Sequence, residues 1–184
     1  RAIPNLHVIR PADAEETKEA WLAALARTDG PTMLSLTRQD LPIIAREPGR
    51  GADMLHKGGY VIRECEGKPD IVLLATGSEV HISVAAAEEL KGKGVRARVV
   101  SLPCWELFDA QTAAYRMEVV AHGTPKCVVE AGIRMGWDRW IGDNGEFVGM
   151  NGFGASGPFK TCFEKFGITT DAVVAAAKKS IARS

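Results

Sequence analysis

Apolar positions along this chain come in short runs separated by longer-period stretches, the signature of strands alternating with helices. Leu6-His7-Val8-Ile9 reads as a strand. From Pro11 to about Arg27 the pattern becomes helical: Pro11 suits a first turn, Asp13, Glu15 and Glu16 complement the positive end of the helix dipole, and Ala20, Trp21, Ala24 and Leu25 share one side. Asp29-Gly30-Pro31 stops that helix, and Thr32-Met33-Leu34-Ser35-Leu36 supplies a second strand. These elements make one β-α-β unit, too little to be a domain alone.

Between Leu41 and Gly58 the pattern breaks. Pro42, Glu47-Pro48-Gly49, Gly51 and Gly58-Gly59 punctuate a stretch with scattered charge, which reads as an interdomain linker. Beyond it, Tyr60–Arg63 and Ile71–Leu74 look like strands, the second continuously apolar as expected of a sheet covered on both faces. Thr76-Gly77-Ser78-Glu79 is a turn in which Ser78 should cap a helix running from about Glu79 to Lys93. Arg96–Ser101, Lys126–Val129 and Glu146–Val148 read as further strands, and Ala110–Met117, Phe159–Phe166 and Thr170–Ala182 as helices. The alternation predicts an α/β fold, a three-layer sandwich whose mixed, mostly parallel sheet carries helices on both faces.

Composition narrows the function classes. The chain has 184 residues, with 23 Lys+Arg against 23 Asp+Glu, so no net field draws it to nucleic acid or to an anionic membrane. No stretch approaches the roughly 20 apolar residues of a membrane span, and the polar start is not a signal peptide. A cytoplasmic location is the default expectation. The four cysteines, Cys65, Cys104, Cys127 and Cys162, form no C-x-x-C pair, and His7, His56, His81 and His122 have no metal-site spacing. Free thiols and structurally bonded or solvated histidines are expected, with no metal ligand among them. Trp105, Trp137, Trp140, Phe147 and Phe153 are expected in a core or a subunit interface. The chain opens on Arg1 rather than Met and meets a strand at once, which points to a piece of a longer protein.

Several segments, in one order, resemble transketolase. They are Val8-Ile9-Arg10-Pro11-Ala12-Asp13, Gly30-Pro31-Thr32, Thr37-Arg38-Gln39-Asp40-Leu41-Pro42, Gly58-Gly59-Tyr60-Val61, Ala75-Thr76-Gly77-Ser78-Glu79-Val80, Val95–Ser101, Val129-Glu130-Ala131-Gly132, Val148-Gly149-Met150 and Phe153-Gly154-Ala155-Ser156-Gly157-Pro158. Thr37 and Gly157 depart from the residues many members carry, Ser and Ala, without changing charge. The resemblance implies that residues 1–45 are the last β-α-β of the family's pyrimidine-binding domain, 46–58 a linker, and 59–184 its C-terminal domain. It also implies the family's chemistry, transfer of a two-carbon ketol unit from a ketose phosphate to an aldose phosphate by a homodimer using thiamine diphosphate and Mg2+ or Ca2+. The same chemistry serves both the pentose phosphate pathway and the Calvin cycle. Neither the Gly-Asp-Gly…Asn cation motif nor the family's cofactor-activating glutamate lies in these residues, so the piece alone is expected to be inactive, with no catalytic, cofactor or metal residue.

One residue is assigned a role. Arg38 follows an apolar strand in a loop closed by Pro42, where a guanidinium can bind phosphate bidentately or simply serve as a surface ion-pair partner. The resemblance implies the first, with Arg38 on the terminal phosphate of the sugar substrate. Other candidates have plainer readings: Glu130 as a structural pair with Arg134 or a helix cap, and Ser156 as the cap of a helix starting near Pro158. The turn Thr76–Glu79 could instead mark a stand-alone anion- or nucleotide-binding or regulatory module, although Glu79 would repel phosphate. Rival thiamine enzymes are dihydroxyacetone synthase, 1-deoxyxylulose-5-phosphate synthase and the 2-oxo-acid dehydrogenase β subunit; the run Thr37–Pro42 argues against the last two. A split-gene subunit is disfavoured, because a cut inside a β-α-β unit leaves sheet edges uncovered.

Overall fold

In strand β4 (Ile71–Ala75) every residue is buried, because successive side chains leave on opposite faces and both faces are covered. Ile71, Leu73 and Ala75 enter one apolar cluster with Ala86, Leu90, Val173 and Ala177. Val72 and Leu74 enter another with Leu102, Trp105, Phe108 and Trp137. The computed structural model describes residues 1–184 and places this strand at the centre of a five-stranded sheet.

The sheet comprises β3 (Tyr60–Arg63), β4, β5 (Ala97–Ser101), β6 (Lys126–Glu130) and β7 (Glu146–Gly149), in the order β3-β5-β4-β6-β7. All pairs are parallel except β3 with β5. Helices α2 (Glu79–Gly92) and α7 (Thr170–Ile181) cover one face. The other carries α3 (Trp105–Asp109), α4 (Ala113–Val119) and α5 (Asp138–Ile141). Each fully buried Leu or Val contributes on the order of 2 kcal/mol relative to exposure, so the two faces hold the layers together without a disulfide; all four cysteines are free. The helix expected over Ala110–Met117 is α4, which starts three residues later because Thr112 is its N-cap and accepts a hydrogen bond from the Tyr115 N–H; α3 is a separate short helix that ends at Asp109.

Ahead of this sandwich, β1 (His7–Ile9) and β2 (Thr32–Leu34) pair in parallel, joined by α1 (Ala14–Ala26). The helix starts later than its sequence suggests. Asp13 is the N-cap, its Oδ1 accepting from the Glu16 N–H at 2.9 Å, which leaves Pro11 outside the first turn. The buried face also differs from expectation: Glu16, Glu19 and Ala20 are buried, whereas Trp21 and Leu25 are 53% and 75% exposed. Two three-residue strands are too small a sheet to cover the apolar stripe. Phe153, expected in a core or interface, is fully exposed, while Trp105 and Trp137 are buried.

The polar face of α1 is what docks on the sandwich. Glu16, fully buried, accepts from Tyr60 Oη at 2.6 Å, Ser101 Oγ at 2.7 Å and the Ala12 N–H at 2.8 Å. Asp13 receives both Arg46 guanidinium nitrogens, at 2.8 and 3.0 Å, and the Ile44 N–H at 2.9 Å. The stretch expected as an interdomain linker is packed against the protein: Ile44, Ala52 and Leu55 are buried, the last two in a 3-10 turn (Ala52–Lys57). Burial, and then the neighbouring Asp13 charge, raise the Glu16 pKa despite its three donors. Burial also pushes up the Asp13 carboxyl, but the bonds from Arg46 and the backbone outweigh it and hold it below its ordinary value.

The two carboxyls have opposite effects on pH dependence. Asp13 adds stability that is lost as pH falls through its depressed pKa; Glu16 adds stability that is lost as pH rises through its raised one. We expect the stability of the unmodified protein, measured against Glu16→Gln by urea denaturation, to lead most in acid and to lose ground as pH climbs above the ordinary carboxyl range. A pH-independent difference would show that folding leaves the Glu16 pKa unshifted. Separately, Gly58 has φ +78°, and a Cβ there would lie 2.1 Å from the Phe108 nitrogen and 2.4 Å from the Cys104 carbonyl, both backbone. Gly58→Ala is expected to cost about 2 kcal/mol or more, read as a lower denaturation midpoint at unchanged slope.

Candidate functional site

Parallel strands bring their carboxyl ends to one edge, and here two sheets turn those edges toward each other. Residues that follow β1 (Arg10, Pro11), β2 (Ser35–Gln39), β4 (Gly77–Glu79) and β6 (Ala131) line one cavity of about 700 Å3. The start of α6 (Phe159–Lys165) contributes Phe159 and closes its side. The carboxyl edge is where open α/β sheets carry ligands.

Arg38 stands on this wall, and it differs from every other arginine in the chain. Of 13 arginines, the other 12 each have a carboxylate oxygen within 4.0 Å. Arg38 has none, and it is exposed to the cavity. A fork of free donors with no protein acid to neutralise it suits an anionic group. On either side of it, the Thr37 hydroxyl donates to the Gln39 side-chain carbonyl.

Across the cavity lies a cluster the sequence did not announce as a unit. Arg10 reaches over the end of the larger sheet, with Nη1 2.5 Å from Thr76 Oγ1 and 2.9 Å from Glu130 Oε1, and Nη2 3.0 Å from Glu79 Oε2. Glu130 also accepts from Thr76 Oγ1 at 2.8 Å, from Trp137 Nε1 at 2.6 Å and from Arg1 Nη1. Burial opposes the Arg10 charge, but Glu79 and Glu130 outweigh it and raise the pKa. Burial likewise pushes Glu130 up, and Arg1 and Arg10, with Trp137 and Thr76, bring it below its usual value.

Three expectations are corrected here. Glu130 does not pair with Arg134, which binds Asp138 instead; it is the partner of Arg1 and Arg10. Ser78 does not cap α2, because its backbone is already helical and its hydroxyl donates to Glu79. Ser156 does not cap α6 either: it is exposed, and Pro158 occupies the N-cap position. The turn Thr76–Glu79 therefore presents a carboxylate bound to Arg10 rather than open N–H donors, which suits neither nucleotide nor free phosphate. No three His, Cys, Asp or Glu side chains converge to hold a metal ion. His56 meets Glu19 and His81 meets the Ala12 carbonyl, both at the docking face.

The comparisons with known proteins agree with this architecture. The family model described as the transketolase-like TK C-terminal domain matches residues 58–169, and that of the transketolase pyrimidine binding domain matches residues 1–43. The transketolase of Sinorhizobium medicae is 50% identical over 185 residues, covering 100% of this chain and 26% of that protein. The solved transketolase from Leishmania mexicana superposes with a TM-score of 0.90 at 41% identity, over 99% of this chain and 26% of that one. A Pichia stipitis transketolase, in complex with sedoheptulose-7-phosphate, gives 0.91 at 39% identity over 100% and 26%. This chain thus spans about a quarter of the length of the relatives it matches. Likeness along its whole length, in sequence and in fold, makes it a member of the transketolase family.

Proposed function

We propose that this chain is the C-terminal quarter of a thiamine-diphosphate-dependent transketolase and that Arg38 binds the terminal phosphate of its sugar substrates. The observation that carries the reading is the unpaired guanidinium on the cavity wall, in a chain whose other arginines all have acid partners. Residues 1–45 are then the end of the pyrimidine-binding domain, 46–58 the connection and 59–184 the C-terminal domain. Family membership supports a homodimeric, cytoplasmic transferase of the pentose phosphate pathway or Calvin cycle.

The residues described do not fit thiamine diphosphate with its Mg2+ or Ca2+. The carboxylates nearest the cavity, Glu79 and Glu130, are held by Arg10, and no acidic triad is left for a cation. Cofactor and metal belong to the rest of the full-length enzyme, and this chain by itself is not catalytic. Its contribution is binding. Arg38 contacts a part of the substrate distant from the bond that breaks, so its energy is the same in ground and transition states and lowers KM rather than raising kcat.

In the full-length enzyme, Arg38→Ala should raise KM for phosphorylated sugars roughly 10- to 100-fold, the worth of a charge-assisted hydrogen-bond pair, with kcat little changed. An unphosphorylated ketol donor should be used as before. Steady-state kinetics with both donor types checks this; an equal loss for both would remove Arg38 from the phosphate.

A further inference from the structure

The larger sheet has a topological switch point. From β4 the chain passes to β5 on one side, then returns to place β6 on the other, so the carboxyl ends of β4 and β6 diverge. That crevice is where a doubly wound sheet ordinarily receives a ligand. In this protein it holds a guanidinium. Thr76 follows β4, Glu130 ends β6, and both bind Arg10, whose third contact is Glu79 in the first turn of α2. Gly77 is shaped to the same group: its φ is +59°, its N–H donates to the Arg10 carbonyl at 2.9 Å, and a Cβ would lie 3.3 Å from the guanidinium carbon. Arg10 itself comes from the end of β1, in the other sheet.

We propose that the switch-point crevice of the C-terminal sheet is a guanidinium-binding site with Arg10 as its built-in ligand, and that this capture makes Arg10 a positioning residue for the Arg38 cavity. Arg10 and the Arg38 loop leave adjacent strands of one small sheet, β1 and β2, and Ser35 N–H donates to the Ile9 carbonyl at 2.8 Å beside them. Seating Arg10 between Glu79 and Glu130 fixes where the β1-β2 edge stands against the Gly77–Glu79 turn, and hence how wide the cavity is. Arg10 needs no contact with substrate to do this, since its donors are already directed at Thr76, Glu79 and Glu130. A planar fork explains the choice of Arg: three acceptors on three elements are reached at once, which an ammonium on a flexible stem does less well.

The positioning half rests on the reading of Arg38 as the phosphate ligand; the guanidinium site does not. The test uses the full-length enzyme carrying Arg10→Ala. Its thermal midpoint should fall, and low-millimolar guanidinium chloride should restore it saturably, whereas equal ionic strength of sodium chloride or an equal concentration of urea should not. KM for a phosphorylated sugar should rise roughly tenfold, as expected of a displaced binding group, and recover with guanidinium, while an unphosphorylated donor is unaffected. No saturable response to guanidinium overturns the site whatever Arg38 binds. Thermal rescue with unchanged KM for phosphorylated sugar overturns the positioning role, and loss of donor discrimination in Arg38→Ala tells that apart from a wrong assignment of Arg38. Should Arg10→Ala not fold, Thr76→Val removes only the hydroxyl between Arg10 and Glu130. A folded Thr76→Val with raised KM for phosphorylated sugar alone supports the role, and an unaltered KM refutes it.

Discussion

The constraint on which this structure depends is that its two sheets meet through charge. An apolar seam tolerates sliding, but the seam here buries Asp13, Glu16, Glu79 and Glu130 and partly buries Arg10, and a buried charge is tolerated only with its partner and its hydrogen bonds in place. Two cations, Arg1 and Arg10, face two anions, Glu79 and Glu130. Arg46 likewise faces Asp13. These pairs tie the β-α-β unit to the sandwich at several separate points. The apolar contribution at this seam, Ile9, Ala20, Leu55 and Cys104, is small by comparison with the two large clusters.

Much of the fold was legible in the residues. Periods of two and of 3.6 located seven strands and most helices, because elements covered on both faces, such as Ile71–Ala75, have little choice but to be apolar throughout. What was misread shares a cause. Caps and helix faces depend on neighbours: Ser78 looked like a cap but bonds to Glu79, and the stripe Trp21–Leu25 looked like a core face although Glu16 and Glu19 are the buried ones. The spacing Asp13-x-x-Glu16 was a usable signal for the true helix start, since an N-cap acid followed three residues later by Glu is the capping-box pattern.

The site was legible to a different degree. Arg38 was singled out by its motif, and the structure adds that it is unpaired, a property no local pattern encodes. Glu130 was noticed for ending a strand, yet its partners Arg1 and Arg10 are 129 and 120 residues away in sequence. Separations of that size leave no local trace in the order of residues. The role of Arg10 emerges only when the carboxyl edges of two sheets are seen together.

Strand β3 has a consequence of another kind. It is the antiparallel border of the larger sheet, and its register shifts between Val61 and Arg63. Arg50 donates to the Val61 carbonyl at 3.4 Å and Arg63 to the Ala45 carbonyl at 3.2 Å, so guanidinium heads and the preceding loop occupy the strand's outer rim. A kinked rim occupied by charged side chains of both signs, Arg50 and Arg63 with Glu47 and Glu64, is a poor template for a further strand. On that side the sheet is closed to lengthening by a foreign chain, a safeguard against fibrous association in a fold whose central strand is apolar throughout.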